Sequence, residues 1–204
     1  MDSRGQDLGV RPARPDELDR ATAITVRAFL ESPMTVACWG AEAGRRERGL
    51  QSLFGVFLQA MPTAPIIALR EDKVVGVLGM SPPGTCLHTP LGATLRVMTS
   101  MVLRSPATAN RFRQWMVEYE RRDPAEVHWH LGPVAVEPAS QHQGIGSLLL
   151  QRFCETLDEE HAAAYLETDQ MANVRLYERF GFVETGQAAI LGTTNWFMQR
   201  SARP

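Results

Sequence analysis

The sequence has almost no lysine and no excess of positive charge. Lys73 is the single lysine, so 20 of the 21 cationic side chains are arginine. The chain also has 23 Asp and Glu side chains, which gives a formal net charge of -2. Proteins that hold nucleic acid rely on a surplus of Lys and Arg to grip the phosphate backbone. The charge balance therefore argues against a nucleic-acid partner.

Cysteines and long apolar runs are also scarce. Cys38, Cys86 and Cys154 are an odd number without paired short spacing, which indicates neither a disulfide framework nor a zinc ribbon. Apolar stretches are far shorter than the roughly 18 residues of a membrane span, and the N-terminus lacks the apolar run of a signal peptide. We expect a cytoplasmic protein with no membrane partner and a flexible leader over residues 1–8.

With 204 residues, of which 44% are hydrophobic, the chain has enough material for one domain spanning 1–204. Hydrophobic patterning predicts the order β, α, α, β, β, helical insert (81–122), β, α, β, α, β, β. We interpret this as an α/β (α+β) fold, a mixed central sheet flanked by helices, with the insert before the strand that begins near Val127. Residues 34–40 are expected to form a loop. Strands over 182–185 and 188–200 are expected to close the chain, with a turn near 192–195.

The segment 134–146, with the sequence VAVEPASQHQGIG, connects a strand to a helix beginning near Ser147. The first N–H groups of a helix have no partner within it and lie at the positive end of its dipole, so a bound diphosphate accepts several hydrogen bonds there. The alternative to a diphosphate site is that the two glycines only make a tight turn before an ordinary helix. A dinucleotide-binding loop fits less well, because Leu149 occupies the third glycine position, and no G-K-[ST] Walker sequence exists.

The run V-x-V-x-P-x-x-Q-x-x-G-x-G over 134–146 resembles the acetyl-coenzyme A signature of the GNAT acetyltransferase superfamily, and Asn173, Tyr177 and Gly181-Phe182 resemble its downstream segment. The stretches YLETD, NVRLYERFGF and TTNWFMQR further resemble the small-molecule branch that includes puromycin N-acetyltransferase. The resemblance implies acetyl-CoA as cosubstrate, lying between two splayed strands. The cofactor-binding residues it implies are Val134, Ala135, Val136, Gln141, His142, Gln143, Gly144, Ile145, Gly146, Ser147 and Asn173.

Amine acetylation needs a base for the amine, a donor to the oxyanion and an acid for the departing thiolate. Tyr177 is the predicted acid, since a phenol with a pKa near 10 can protonate a thiolate whose conjugate acid has a pKa of about 8.5. Core packing against Phe182 is the alternative for this ring. Asn173 lies one helical turn earlier and either contacts the cofactor or caps the helix start.

His130 and Glu167 are the candidate bases, and Glu137 competes with them. His128 and His130 alternate along the strand and should share one face; in protein-acetylating relatives a glutamate often stands where this chain has His130. Glu167 ends the next strand, where α/β sheets tend to place ligands. The backbone N–H of Val134 is the expected oxyanion donor, because Gly132-Pro133 should interrupt strand pairing.

No metal site is predicted, because His142 lies alone in its loop without other ligands at suitable spacing. The expected reaction is transfer of acetyl from acetyl-CoA to a primary amine of a small molecule through a ternary complex. The insert should close over a compact acceptor. The alternatives are a protein or peptide acceptor and a non-catalytic acyl-CoA-binding module, and the sequence does not distinguish a monomer from a homodimer.

Overall fold

The computed structural model describes residues 8–85 and 91–203, so most of the expected leader and part of the loop after residue 81 lie outside the described residues. Within these ranges, seven strands and seven helices follow one another in the predicted order, except that three helices and not two separate the first strand from the second. They are β1 (Leu8–Pro12), α1 (Leu18–Phe29), α2 (Pro33–Trp39), α3 (Ala43–Ala60), β2 (Ile66–Arg70), β3 (Lys73–Ser81), α4 (Leu91–Arg104), α5 (Pro106–Glu120), β4 (Trp129–Val136), α6 (Ile145–Glu159), β5 (Ala164–Thr168), α7 (Met171–Glu178), β6 (Val183–Ile190) and β7 (Thr193–Arg200).

The strands form one sheet in the order β1-β2-β3-β4-β5-β7-β6. All neighbours are antiparallel except β4 and β5, which are parallel because α6 crosses over between them. The mixed α/β fold class expected from the sequence is therefore confirmed.

Helices cover both faces of the sheet. The apolar side of α6, including Leu149 and Phe153, packs with residues of α7 in the largest core cluster. On the opposite face, α1 and α3 bury Ile24 and Leu58 against β2 and β3. The helices α4 and α5 form the predicted insert between β3 and β4, and they extend that second layer through contacts with α2 and α3.

The loop predicted over residues 34–40 is wrong, because residues 34–39 belong to α2 and Gly40 follows as its C-cap. Pro33 ends the preceding helical pattern, but it also occupies the first position of α2, where its missing N–H costs nothing. Trp39 is 2% exposed and Met34 is 1% exposed. Burial of these apolar side chains accounts for a short helix where the sequence pattern indicated a loop.

The predicted ending of the chain is also partly wrong. Strand β6 runs without interruption from Val183 to Ile190, and the turn comes earlier than expected, at Leu191 and Gly192. Both turn residues have positive φ, 50° and 80°, as in the tight hairpin turns that match strand twist. Asn195 lies inside β7 with its side chain fully buried.

Within the described ranges, no helix is both long and apolar enough to cross a membrane.

Candidate active site

Strands β4 and β5 separate soon after they meet. In the described part of the chain they pair only at Trp129–Ala164 and His130–Tyr165. Beyond these pairs β4 continues along β3, whereas β5 continues along β7. A wedge-shaped opening therefore begins just after His130, as the splayed sheet of the sequence analysis required.

An irregularity in the β3–β4 pairing lies next to this opening. The register shifts between Leu78 and Met80, where Gly79 faces the Gly132-Pro133 pair. A Cβ on Gly79 would lie 2.7 Å from the carbonyl oxygen of Gly132 and 2.7 Å from Cδ of Pro133. Glycine at position 79 thus allows the close approach of the two backbones just before Val134, the residue predicted to supply the oxyanion donor.

The loop after β4 has the conformation expected of a strand-to-helix connection. A single helical turn, Pro138–Ser140, comes directly after β4, and Gly144 at the end of the loop is the N-cap of α6 with φ 83°. His142 also has a positive φ of 61°. Because the α6 cap carries no side-chain hydrogen bond, the first amides of the helix are available to an anionic ligand.

Side chains around the loop position it and bring two cations close by. Arg70, at the end of β2, donates to Oε1 of Gln143 at 2.7 Å. The other end of the Gln143 amide, Nε2, donates to the carbonyl of Ala139 at 3.4 Å. Arg179 lies 3.5 Å from Oγ of Ser147. Neither arginine was predicted from the sequence, because nothing in the motif signals cations contributed by β2 and by the end of α7.

The remaining residues of the motif differ in how far they are exposed to solvent. Gln141 is exposed, and its Nε2 donates to the carbonyl of Val136. Val134, Val136 and Gly146 are half-buried. Ala135 (2% exposed) and Ile145 (1% exposed) have buried side chains, so only their backbone groups can reach a cofactor.

Glu137 does not suit the role of a base. Its carboxylate accepts two hydrogen bonds from Arg27, at 2.9 and 2.5 Å, and Arg20 lies 3.7 Å away. Hydrogen bonding to Arg27 and the charges of both arginines lower the pKa of Glu137. A carboxylate held in this ion pair is a weak proton acceptor, and its evident role is to tie the start of the loop to α1.

His130 and Glu167, the two candidate bases of the sequence analysis, are hydrogen-bonded to each other. Nε2 of His130 lies 3.0 Å from Oε2 of Glu167, so the pair joins β4 to β5 where the strands begin to separate. The side chain of His130 is 22% exposed, while that of Glu167 is 5% exposed. The histidine is therefore the more accessible member of the pair.

His128 and Asp123 extend this pair into a polar cluster. His128 directly precedes β4, and its ring lies beside that of His130 with centroids 6.3 Å apart, as their alternation predicted. Oδ1 of Asp123, a residue between α5 and β4, is 3.5 Å from Nε2 of His128 and 3.5 Å from Nδ1 of His130. Asp123 was missed because no short spacing connects it to the histidines.

The two predicted residues of α7 lie near the end of β5. Nδ2 of Asn173 donates to Oγ1 of Thr168 at 3.3 Å, and Gln170 is the N-cap, so Asn173 does not cap the helix. Tyr177 is 7% exposed, with its ring 6.0 Å from that of Phe182. Burial, and to a lesser extent the charge of Asp169, raise the pKa of Tyr177, which keeps its phenol protonated.

Asp169 connects the end of β5 to the opposite helical layer. Its Oδ2 accepts hydrogen bonds from Oγ of Ser32 at 2.5 Å and from the backbone N–H of Met34 at 2.8 Å. On the neighbouring strand β7, Nδ2 of Asn195 contacts the sulfur of Met34, and Oδ1 of Asn195 accepts a hydrogen bond from the hydroxyl of Tyr119. The start of α2 and the end of α5 are thereby held over the face that carries His130.

Several solved structures share this fold. One, described as histone acetyltransferase HPA2 and related acetyltransferase from Corynebacterium glutamicum, is 22% identical with a TM-score of 0.72, covering 97% of this chain and 98% of that one. A GNAT family acetyltransferase from Brucella melitensis, in complex with acetyl-CoA, is 18% identical (TM-score 0.54; 98% and 90% covered). An agmatine N-acetyltransferase in its apo form is 14% identical (TM-score 0.64; 96% and 99% covered).

A family model adds the evidence that these distant likenesses do not provide. Residues 32–182 match the model of the acetyltransferase (GNAT) family. The match covers most of the chain and includes the loop, the β4–β5 opening and α7. This chain is a member of the acetyltransferase (GNAT) family.

Proposed function

We propose that the protein transfers an acetyl group from acetyl-CoA to a primary amine of a small molecule. The observation that carries the proposal is the His130–Glu167 pair at the point where β4 and β5 separate. The pair would act as a proton acceptor beside the opening, and the amides at the start of α6 would hold the diphosphate at the outer end of β4. Acetyl-CoA and the amine acceptor would then meet between the His130–Glu167 pair and the start of α6.

The proposed reaction follows direct attack in a ternary complex. The His130–Glu167 pair takes a proton from the acceptor ammonium, and the free amine nitrogen attacks the thioester carbonyl carbon. The N–H of Val134 donates to the oxyanion of the tetrahedral intermediate. The carbon–sulfur bond then breaks and Tyr177 protonates the thiolate. The second proton of the amine nitrogen passes through solvent to restore the phenol, leaving the amide and free CoA thiol.

Enclosure of the pair supports a small acceptor. Glu167 and Asp123 are almost buried, at 5% and 12% side-chain exposure. The end of α5 lies close by, since the hydroxyl of Tyr119 donates to Asn195 at 2.8 Å. A compact ammonium compound fits such a covered, acidic surrounding better than a protein segment does. The resemblance of the stretches 165–169, 173–182 and 193–200 to the small-molecule branch supports the same substrate class.

An acceptor screen tests the substrate class. The protein is incubated with acetyl-CoA and separate panels of polyamines, amino-acid derivatives, aminoglycoside-like and nucleoside amines, and peptides, and thiol release is measured. We expect turnover with members of the small-amine panels only. Turnover confined to peptides would overturn the small-molecule assignment, and tight binding of acetyl-CoA without any turnover would favour a binding module.

Substitution of the pair tests the proposed base. His130→Gln and Glu167→Gln should each lower kcat with an accepted amine by about 100-fold, the usual contribution of a positioned proton acceptor, while the Kd of acetyl-CoA stays unchanged. His161→Gln is the matched control, because His161 is an exposed histidine bonded to the carbonyl of Arg203. A wild-type kcat in both variants would remove the pair from the mechanism.

A further inference from the structure

Asp123, His128 and His130 bring three potential ligand atoms together on one side of β4. Oδ1 of Asp123 lies 3.5 Å from Nε2 of His128 and 3.5 Å from Nδ1 of His130, and the three atoms lie within 4.8 Å of one another. The side chains are 12%, 6% and 22% exposed, respectively. The group is thus sheltered but remains open on the His130 side.

The outer nitrogen of each ring is engaged by an oxygen acceptor. Nδ1 of His128 lies 2.7 Å from the carbonyl oxygen of Glu126, which can only accept, so this nitrogen carries the proton. Nε2 of His130 lies 3.0 Å from the carboxylate of Glu167 and carries the proton in the same way when that carboxylate is ionised. In the neutral rings the lone pairs therefore belong to the two nitrogens that face Asp123.

This is the arrangement of metal-binding histidines, whose other N–H is held by a carbonyl or carboxylate that sets the tautomer. Neutral imidazole nitrogens and a carboxylate oxygen are also the donor types that zinc accepts. His130 lies on β4 and His128 directly precedes that strand, so the two rings are held close to the rigid sheet, and Asp123 supplies the third atom from the segment before them.

The distances favour a metal ion over a shared proton. A nitrogen–oxygen separation of 3.5 Å is longer than the roughly 2.7–3.2 Å of an N–H···O hydrogen bond. Two ligands of one tetrahedral zinc ion, each bound at about 2.0–2.1 Å, lie about 3.3 Å apart. A small inward movement of the side chains would therefore complete three zinc bonds.

The surroundings supply charge and a further oxygen. Oδ1 of Asp123 is buried and accepts no hydrogen bond from any residue in 8–85 or 91–203. The ring of Tyr165 lies edge-on to both histidines, with centroids 5.6 and 5.5 Å away, and its buried hydroxyl also has no partner within those ranges. A cation at the centre of the group would satisfy the carboxylate and leave its fourth position to water.

We propose that Asp123, His128 and His130 form a binding site for a divalent transition-metal ion of the zinc class. Glu167 supports the site from outside by orienting His130 through Nε2. The site shares His130 and Glu167 with the proposed base, and a metal bound to Nδ1 of His130 would occupy the nitrogen that is left to accept a proton. Metal binding is measured without turnover, so a failure of this proposal is distinguishable from a failure of the proposed acetyl transfer.

Metal binding by the full chain tests the site directly. Protein freed of metal by a chelator is titrated with Zn²⁺ in competition with a chromophoric chelator, and separately with Co²⁺, whose visible absorption reports the coordination geometry. We expect one equivalent of Zn²⁺ and a tetrahedral-type Co²⁺ spectrum. If the wild-type protein binds no Zn²⁺ and gives no tetrahedral-type Co²⁺ spectrum, the proposal is overturned.

Variants then locate the site. His128→Gln and Asp123→Asn should weaken Zn²⁺ binding by at least about 100-fold, and Glu167→Gln by about 10-fold as an outer partner. His161→Gln, which removes a histidine elsewhere, should bind as the wild type does. Circular dichroism spectra establish that each variant is folded. Retention of the Zn²⁺ equivalent in folded His128→Gln, or its loss in His161→Gln, would place the metal elsewhere.

Discussion

The two ends of the β4–β5 opening are built in different ways. The loop leading into α6 comes from one contiguous segment, 137–146, and offers mainly backbone amides and a helix dipole. The polar cluster comes from separate segments: Asp123 and His128 precede β4, His130 lies on it, and Glu167 lies on β5. It offers only side-chain groups.

This contrast predicts opposite sensitivities. A backbone site is damaged mainly by side chains that are added, because they occupy the space of the ligand or compete for its amides. A side-chain site is damaged by groups that are removed, because each nitrogen or oxygen has its own role. Substitutions at the two ends should therefore separate cofactor affinity from catalytic rate.

The largest effect is expected at the loop. Gly146→Asp places a carboxylate in the first turn of α6, where it repels the diphosphate and takes its hydrogen bonds, so acetyl-CoA should bind at least about 100-fold more weakly. Stability should not fall, because a Cβ there meets Val136 and Leu176 at ordinary contact distances of 3.8 and 3.9 Å. Calorimetric titration and thermal unfolding measure the two quantities.

The matched control is Gly146→Ala, which adds the same Cβ without charge. It should bind acetyl-CoA more tightly than Gly146→Asp by at least about 10-fold, since only the charged variant repels phosphate. If the wild type and Gly146→Asp bind acetyl-CoA with equal affinity, the diphosphate does not bind at the start of α6.

At the other end, a double substitution should show that His130 and Glu167 act as one unit. If each single variant loses about 100-fold in kcat, the double variant should lose far less than the product, because residues of one hydrogen-bonded unit are not additive. Steady-state kinetics at saturating acetyl-CoA provides the measurement. Fully multiplicative losses would mean that the two residues contribute separately.

A smaller effect is expected for Tyr177→Phe, which tests a residue between the two ends. Loss of the phenolic proton should lower kcat by about 10-fold or more, at the low end of general acid catalysis, without changing the Kd of acetyl-CoA. The melting temperature should stay close to that of the wild type, because the ring keeps its contact with Phe182. An unchanged kcat would favour the packing interpretation of this ring.

The smallest effect concerns the ion pair that anchors the loop. Glu137→Gln should lower the free energy of unfolding at pH 7 by about 0.5–1 kcal/mol, as for a partly exposed pair. The pKa of Glu137 is lowered from 4.5 in the fold, so its contribution is present above about pH 4.5 and is lost as the pH falls through the folded value. Urea unfolding at pH 7 and pH 3 should show the difference between wild type and variant shrinking.

Contiguous features were predictable from the sequence. The loop 141–146 and the helix after it follow from glycine positions and helix periodicity, and both are found where they were expected. The helix α2 was missed because its seven residues resemble a loop until Met34 and Trp39 are buried by neighbouring helices. The hairpin turn was misplaced because Asn195, a typical turn residue, is held inside β7 by burial and hydrogen bonds.

The sequence by itself determined the mixed sheet, the glycine-bearing loop before α6 and the order of elements apart from α2, because local periodicity and backbone conformation depend on neighbouring residues. A net charge near zero is compatible with the proposed diphosphate site, since its binding groups would be amides and not lysines. Only the tertiary structure decided that His130 contacts Glu167, that Asp123 joins both histidines, and that Arg27 engages Glu137. These contacts join residues up to 110 positions apart in the chain, and their distances depend on how β4, β5 and the helices pack.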